Sequence, residues 1–579
     1  MPDLRSTSNR RLKMLYALIF CSFLGLAAGL YFFQIMHSDR YTHLASNNRL
    51  RMIRFPPVRG ELFDRHGTPL AVNVTTFDIM GYPLDIEREN MVETLAALLS
   101  RHGIPATGEE LGASLKKQYG PPYRVVRIVG NITLSQMADL VADPEFPQQL
   151  FPIPVWRRTY PAGSLAANVT GFVGEISEQE LRTLSDSGYI GGDLIGKGGV
   201  ERQHEAMLRG TPGEEYVEVD ARGRKVKNLS VKQPGRGVDL LLSLDLGAQR
   251  LAVDLMKDYK GAIIVMDVKT GEVLVSYSSP SFDNNLLAWG VSSKEWDALV
   301  RDPANPMMDR TISGAYPPAS TFKVLTALAA LEEKVVNTST TFRCSGSFKL
   351  GPRTFRCWRR SGHGSVNLLS ALQNSCDVYF YQVGLKLGID KLMEWGDLFE
   401  LGRPTGIDLP GEVSGTIAGP EWKQKRLKEK WYLGDTVNYS IGQGFLLMTP
   451  IQIARMYAAI ANGGILVQPH FFSTLGQNSV TLPVSKKNLE VIQKGLDYVV
   501  RRGTGRHAAS FGVTVAGKTG TAQNAHGDDH ALFAGYAPAK DPKYVAVAMI
   551  EAGLHGGSIA SPMVGEILSY LLVPESRGR

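Results

Sequence analysis

The chain has 579 residues, of which 44% are hydrophobic and 21% are charged, and its formal net charge is +7. That length exceeds what one hydrophobic core supports, so we expect two or three domains. The charge is mild for this length and accompanies no zinc-knuckle or helix-turn-helix pattern, which argues against nucleic acid as a partner.

The first predicted element is a helix that spans a membrane. Residues 14–36 contain no charged side chain, and a helix of that length measures about 34 Å, enough to cross a bilayer. Three arginines and a lysine precede it, so the positive-inside rule places 1–13 in the cytoplasm as a short tail. The alternative is a cleaved signal peptide, because Ala27-Ala28-Gly29 offers small residues, but the apolar run continues past them.

Residues 37–232 are predicted to form an extended pedestal domain outside the membrane. They begin with a polar juxtamembrane stalk at 37–56 and include short helices near 91–99, 108–118 and 134–140. The glycine-rich run from Gly196 to Glu201 lacks the Gly-Lys-Ser/Thr ending of a phosphate loop. Because no catalytic set of residues falls in this part of the chain, we expect a docking surface.

A second domain is expected at 237–573. Its order of strands and helices predicts an α+β fold, in which helices cover an antiparallel sheet. The predicted strands lie at 238–244, 261–267, 272–276, 513–516, 533–536 and 544–551, and the predicted helices at 246–259, 450–461, 487–500 and 563–571.

A candidate nucleophile follows a pair of prolines in this second domain. Pro317-Pro318 disfavours a helix upstream, so Ser320 falls near the N-terminus of an apolar helix, among unpaired amide donors. Lys323 lies three residues on, on the same helix face, and a neutral amine there accepts the serine proton. The alternative for Ser320 is an ordinary helix N-cap.

Two downstream motifs favour catalysis over capping. Ser375-Cys376-Asp377 follows a short helix, and Lys518-Thr519-Gly520-Thr521 follows the strand predicted at 513–516. Ser-x-x-Lys, Ser-Asp-Asn and Lys-Thr-Gly together are the motif set of penicillin-binding proteins and class A β-lactamases. All three occur here in that order, with aspartate at the third position of the middle motif.

The chain resembles the class B penicillin-binding proteins over essentially its whole length. Two segments resemble the pedestal motifs of that family: Arg59-Gly60 with Asp64-Arg65, and the run from Gly196 to Glu201. Gly442-Gln443-Gly444 resembles a further motif of its catalytic domain. The resemblance implies a single membrane anchor, a pedestal (dimerisation-type) domain and a transpeptidase domain with a five-stranded antiparallel sheet. Asp377 and the segment Gly362-His363-Gly364 are most similar to members of the rod-elongation machinery.

The resemblance also implies a mechanism and a role for each motif residue. Ser320 would attack the D-Ala-D-Ala carbonyl of a peptidoglycan stem peptide, and an amine of a neighbouring stem would take the acyl group. Lys323 is the expected base, Ser375 the proton relay and Lys518 a source of positive potential. The expected substrate-binding residues are Asp377, Thr519, Gly520 and Thr521.

Partners are likewise expectations from the resemblance. They are the lipid-linked precursor polymer, a RodA-type glycosyltransferase and an MreC-type scaffold at the inner membrane, with the catalytic domain in the periplasm. The alternative functions are a division-specific transpeptidase, a membrane-bound β-lactamase or D,D-carboxypeptidase, and a non-enzymatic scaffold or antibiotic sensor.

Three of the four cysteines lie close together in the sequence, near the middle motif. Cys344, Cys357, His363 and Cys376 match the ligands of a closed tetrahedral zinc site, and some members of the resembled group carry ligands in this segment. The alternative is a Cys344–Cys357 disulfide that leaves Cys376 free. We therefore predict one structural zinc ion and no catalytic cofactor.

Overall fold

The structure is a computed structural model that describes residues 4–37, 50–81, 86, 91–117, 126–219, 225–472, 478–524 and 527–573. Most of the predicted juxtamembrane stalk lies outside these residues. The N-terminal part holds the following elements: α1 Leu4–Tyr31, β1 Leu50–Phe55, β2 Leu62–Phe63, β3 Pro69–Gly81, α2 Met91–Arg101, α3 Gly108–Lys117, β4 Val126–Ile132, α4 Leu134–Ala142, β5 Phe151–Thr159, α5 Ala167–Thr170, β6 Val173–Glu175, α6 Glu178–Thr183, β7 Leu194–Gly196, α7 Gly199–Gln203, α8 Glu205–Leu208, β8 Gly213–Val219, β9 Lys225–Lys232 and β10 Leu240–Leu241.

The C-terminal part alternates helices and strands around the motifs. Its elements are α9 Leu246–Met256, β11 Gly261–Asp267, β12 Val273–Ser279, α10 Asn284–Ala288, α11 Ser293–Arg301, α12 Lys323–Glu332, β13 Phe342–Cys344, β14 Ser347–Leu350, β15 Arg353–Arg356, β16 Gly364–Val366, α13 Leu368–Gln373, α14 Asp377–Leu398, α15 Pro420–Leu427, α16 Leu433–Tyr439, α17 Pro450–Ala461, β17 Ile465–Val467, β18 Ser479–Thr481, α18 Lys486–Arg502, β19 Ala516–Ala522, β20 His530–Ala537, β21 Tyr544–Ile550 and α19 Ala560–Leu572.

The N-terminal helix begins ten residues before the predicted apolar segment and ends in a π-helical turn, Phe32–Met36. Within it, Leu12–Met36 is long and apolar enough to cross a membrane, with a mean hydropathy of 2.0. Large apolar side chains such as Phe20 and Phe23 are exposed along this helix, and none of the described residues buries them. A lipid environment removes the cost of exposing that surface to water.

The pedestal contains two main sheets. Strands β1, β8 and β9 form an antiparallel three-stranded sheet, and the long strand β3 pairs with β2, β4 and β5. The three predicted pedestal helices are present as α2, α3 and α4 and, with β3 and β4, enclose a separate apolar core. Their apolar residues recur at helical spacing, which explains why the sequence predicted them to within a few residues.

Buried charges connect the two pedestal motifs. Glu201 is fully buried and accepts hydrogen bonds from Arg59 and Arg158 at 2.6 and 2.7 Å. Tyr160 donates a further hydrogen bond to the same carboxylate. Gly199 opens α7 beside this network with a φ of +54°, and a Cβ there would lie 2.4 Å from the amide nitrogen of Gly171. The glycine run therefore serves close packing around a buried ion-pair network.

The C-terminal sheet has five antiparallel strands in the order β12-β11-β21-β20-β19, as the fold class predicted. Helices α9 and α19 cover one face, and α12 and α17 are in the core on the other face. Alternate residues of β11 point to opposite faces, so Ile263 and Ile264 join different apolar cores. Strand β19 lies at the edge of this sheet and, among the described strands, pairs with β20 alone.

Two predicted strands differ from the structure. The strand predicted at 238–244 is only Leu240–Leu241, and it pairs in parallel with Leu62–Phe63 of the pedestal. The strand predicted at 513–516 is instead Ala516–Ala522, so the Lys-Thr-Gly motif lies within the strand rather than after it. Pairing with β20 stabilises this glycine-containing segment as a strand, against its low local β propensity.

The ion-pair network predicts a sharp loss of stability when Glu201 is changed. Glu201→Gln leaves Arg59 and Arg158 without their shared buried counter-charge, and we expect a cost of about 3–5 kcal/mol. Thermal denaturation followed by circular dichroism measures it. The matched control is Glu178→Gln, whose exposed pair with Arg182 is worth about 0.5 kcal/mol or less. Equal, small effects of both changes would contradict the structural role of the network.

Candidate active site

The candidate nucleophile lies in a short turn rather than in the first turn of an α-helix. Ala319–Thr321 forms a 3-10 turn, and α12 begins only at Lys323. The turn has a strained entry, because Ala319 has a φ of +49° although it carries a side chain. Its amide donates to the carbonyl of Gly442 at 2.8 Å, and a Cβ on Gly442 would lie 2.2 Å from the Ala319 oxygen. The predicted Gly442-Gln443-Gly444 motif therefore supports the serine turn.

Lys323 is fully buried, and its amine points to the middle motif. Its Nζ lies 2.6 Å from Asp377 Oδ1 and donates to the carbonyl and the hydroxyl of Ser375 at 3.1 and 3.4 Å. Within the described part of the chain, no hydrogen bond joins Lys323 to Ser320. The sequence pattern predicted the Lys323 amine to lie beside the Ser320 hydroxyl. In the structure the amine is paired with the carboxylate of Asp377, a residue far from Lys323 in the sequence.

Lys518 approaches the same hydroxyl from the opposite side. It is fully buried, and its Nζ lies 2.9 Å from Ser375 Oγ and 3.0 Å from the carbonyl of Thr519. Burial and the charge of Lys323 hold the pKa of Lys518 well below its ordinary value, and Asp377 partly opposes that shift.

The middle motif turns sharply so that alternate side chains face opposite ways. Ser375 has a φ of +52°, and Cys376 is the N-cap of α14, which begins at Asp377. Ser375 and Asp377 contact the lysines, whereas Cys376 joins a cluster of cysteines behind them. The positive φ is costly for a serine, and the bonds to two amines hold it in place.

The open edge of β19 forms one wall of the site. Thr519, Gly520 and Thr521 follow Lys518 along this strand, and Thr519 shares a 2.6 Å hydrogen bond with Thr504. Gln443 donates from its side chain to the carbonyl of Thr521 at 3.2 Å. An edge strand presents backbone groups that pair with an extended peptide, so this wall suits a peptide substrate.

Sequence reasoning missed two residues of this region, Trp358 and Thr504. The Trp358 amide donates to Asp377 Oδ2 at 2.9 Å, so both carboxylate oxygens have donors. Trp358 itself is 58% exposed beside the motif. Gln443 and Thr504 brace the wall strand as described above. One sequence signal could have located Trp358 near the active site: it directly follows Cys357, a predicted metal ligand expected to lie beside the Ser375-Cys376-Asp377 motif.

Behind the middle motif, the four predicted metal ligands come together. The donor atoms of Cys344, Cys357, His363 and Cys376 all lie within 4.8 Å of one another, and the three cysteines are buried free thiols. His363 Nδ1 lies 3.5 Å from the Cys357 sulfur, and its Nε2 is buried without a hydrogen-bond partner. A hydrogen bond with Cys376 lowers the pKa of the Cys357 thiol to about 5. Three sulfurs and an imidazole at this spacing fit a tetrahedral metal ion.

Comparison with known proteins gives the family of this chain. A family model for the penicillin-binding protein transpeptidase domain matches residues 261–569, and one for the penicillin-binding protein dimerisation domain matches 54–242. The curated "Peptidoglycan D,D-transpeptidase MrdA" of Acinetobacter baumannii is 35% identical, over 98% of this chain and 88% of its own length.

Two solved structures cover most of the chain. One is a complex between penicillin-binding protein 2 and MreC from Helicobacter pylori, with a TM-score of 0.82 and 32% identity, covering 90% of this chain and 99% of that one. The other is described as "Structural coordination of polymerization and crosslinking by a peptidoglycan synthase complex", with a TM-score of 0.75 and 29% identity, covering 97% and 98%.

These matches, together with the three converging motifs, define a serine-type acyl-transfer enzyme of the penicillin-binding protein family, to which the chain belongs. Within that family it is a class B protein of the penicillin-binding protein 2 group.

The two amines predict an effect of Asp377 on the pH dependence of acylation. The carboxylate raises the pKa of Lys518, so Asp377→Asn lowers that pKa further and leaves both amines without a counter-charge. A base must be neutral to act, so the rising limb of the acylation rate moves to lower pH. Rates of acylation by a fluorescent penicillin across pH measure this shift.

The control for that experiment is Asp390→Asn, an exposed carboxylate on the same helix, α14. It should leave the pH profile in place. A limb that moves to higher pH in Asp377→Asn would contradict the charge arrangement described for the two lysines.

Proposed function

We propose that this chain is the peptidoglycan D,D-transpeptidase of cell-wall elongation and rod-shape maintenance, and that β-lactams inhibit it by acylating Ser320. The observation that carries the proposal is the convergence of three distant motifs on one hydroxyl, Ser375 Oγ, which contacts the amines of both Lys323 and Lys518. The similarity to curated D,D-transpeptidases over nearly the whole chain supports the substrate class.

In the proposed acylation, Ser320 Oγ attacks the carbonyl of the D-Ala-D-Ala bond and its proton passes to an amine. The amide C–N bond then breaks, and D-alanine leaves with a proton returned from that amine. An amine of a second stem peptide attacks the ester in turn and loses a proton to the same relay. The ester C–O bond then breaks, and the relay returns the proton to the Ser320 oxygen. Each step is a proton transfer coupled to nucleophilic attack or departure.

The position of Ser375 supports Lys323 as the base even though Lys323 is paired with Asp377. The hydroxyl lies between the two amines, so a proton can pass from Lys323 through Ser375 to Lys518, whose lowered pKa favours the neutral form at rest. Lys323 is then neutral and accepts the proton of Ser320, and the positive charge on Lys518 faces the substrate carboxylate. Asp377 stabilises whichever amine carries the charge.

The wall strand supplies the remaining roles in this proposal. Thr519 and Thr521 hydrogen-bond the terminal carboxylate of the substrate, and Gly520 leaves room for its backbone along the edge of β19. The backbone amides of Ser320 and Thr521 form the oxyanion hole, in which one donor is worth about 3–4 kcal/mol. Asp377 accepts hydrogen bonds here, whereas an asparagine at this position also donates.

The proposed setting is the inner membrane, with 1–13 in the cytoplasm and the catalytic domain in the periplasm. The exposed apolar helix supports a single membrane span. The similar Helicobacter pylori protein forms a complex with MreC, and another similar structure is of a peptidoglycan synthase complex. We therefore propose an MreC-type scaffold and a RodA-type glycosyltransferase as partners of the pedestal and the anchor.

We also propose that Cys344, Cys357, His363 and Cys376 hold one structural zinc ion. All four ligand positions are protein side chains, so no coordination site is left for substrate, and zinc would supply rigidity rather than chemistry. Because Cys376 lies between Ser375 and Asp377, fixing its sulfur fixes the turn that presents both neighbours to the lysines.

The first test is loss of penicillin labelling together with a change of cell shape. Ser320→Ala removes the acylated oxygen, so labelling of the chain by a fluorescent penicillin should disappear. Ser361→Ala, an exposed serine of the neighbouring loop, should label normally. Depletion of the protein should give round cells; filaments would favour a division role, and undiminished labelling of Ser320→Ala would contradict the proposed nucleophile.

The second test is the metal content of the purified protein. Mass spectrometry of metals should find about one zinc per chain, which His363→Ala reduces sharply because one of four ligands is removed. His507→Ala, an exposed histidine outside the cluster, should retain the metal. Peptide mapping that finds a Cys344–Cys357 disulfide would refute the zinc proposal.

A further inference from the structure

A cavity of about 660 Å³ lies between the pedestal and the catalytic domain, away from the site described above. Its pedestal wall comes from the residues around Gly171 and the turn that precedes α7. Its other wall comes from the segment between α11 and Ser320 and from the loop around Pro410. No residue of the three catalytic motifs lines this cavity, and its volume is in the range of small-molecule and peptide sites.

One side of the cavity is apolar and aromatic. Phe172 of the pedestal meets Phe282 of the catalytic domain edge to face, with ring centroids 6.2 Å apart. Met307 and Trp296 continue this surface, and Trp296 remains 40% exposed. Such a surface packs against methyl groups and short aliphatic chains.

Some polar side chains that line the cavity have ion-pair or hydrogen-bond partners within the described part of the chain, and others do not. Lys197 is paired with Glu180, but Arg202 is exposed and, among the described residues, has no carboxylate within ion-pair distance. Asp309 uses only one carboxylate oxygen, Oδ1, to accept from Thr311, and its Oδ2 is buried without a donor. That oxygen has no accessible surface and does not face the cavity, whereas the free guanidinium of Arg202 lines the same space as the apolar wall.

We propose that this cavity binds the carboxylate end of a second peptidoglycan stem peptide, separate from the one in the catalytic groove. Arg202 pairs with the terminal carboxylate, and alanine methyl groups pack against Trp296 and Phe172. The choice of ligand rests on the proposed function, since that function brings such peptides to this domain. The cavity joins two domains, so the bound peptide contacts both the pedestal and the catalytic domain.

The arrangement matches the chemistry of such a peptide more closely than that of a sugar or a lipid chain. A neutral sugar or an uncharged lipid chain leaves Arg202 without a counter-charge. A short peptide with a free carboxylate provides an anion and small methyl groups together.

Calorimetric titration of the full-length protein in detergent tests the proposal, after Ser320 has been blocked with benzylpenicillin and the block checked by intact mass. The probe is a synthetic pentapeptide that ends in D-Ala-D-Ala. We expect saturable binding to the blocked protein, weakened about tenfold or more by Arg202→Gln, because a charge-assisted pair is lost. Arg182→Gln, an exposed arginine of the same domain, should leave the affinity unchanged.

A second probe carries a carboxamide in place of the terminal carboxylate. It should bind the wild type about tenfold more weakly than the acid, and Arg202→Gln should bind acid and amide alike. No saturable binding to the blocked protein, or equal affinities of acid and amide for the wild type, would overturn the proposal. If penicillin fails to acylate Ser320, the proposed function fails instead, and the acid–amide comparison in wild type and Arg202→Gln still decides the cavity.

Discussion

The buried ion pair between Lys323 and Asp377, at 2.6 Å, is the interaction on which the arrangement of the active site depends. Two lysines fully removed from water within reach of one hydroxyl would repel each other, and each would lose its hydration. One carboxylate makes this arrangement tolerable, because it neutralises Lys323 and partly offsets the fall in the pKa of Lys518. The result is a site that holds one charge and one proton acceptor side by side.

The Asp377 carboxylate is also fixed by a hydrogen bond to its second oxygen. The Trp358 amide fixes its second oxygen, and Trp358 directly follows Cys357 of the cysteine–histidine cluster. Cys376, in the same cluster, lies between Ser375 and Asp377. The cluster therefore lies directly behind the two side chains that contact the amines. This connection gives a structural reason for the proposed zinc site to lie beside the active site.

Local sequence patterns predicted most of the helices and strands, and the errors arise where contacts between distant parts of the chain decide the structure. The helix at Pro450–Ala461 begins at a Thr-Pro cap and was predicted to the residue. The strand that holds Lys518 was misplaced, because the pairing with β20 that stabilises it is not visible in local propensity. The motif residues were found from the order of their short patterns. The ion pair between Lys323 and Asp377 was not found, because the two residues lie 54 positions apart in sequence.

The central claim is that Ser320 forms an ester whose acyl group passes to an amine rather than to water, and intact mass spectrometry after benzylpenicillin treatment tests it most directly. The account predicts a single adduct on the purified chain, located on the peptide that contains Ser320 and persisting long after free drug is removed. Rapid loss of the adduct with release of hydrolysed penicillin would show a hydrolase. The absence of any adduct on a folded protein would contradict the account altogether.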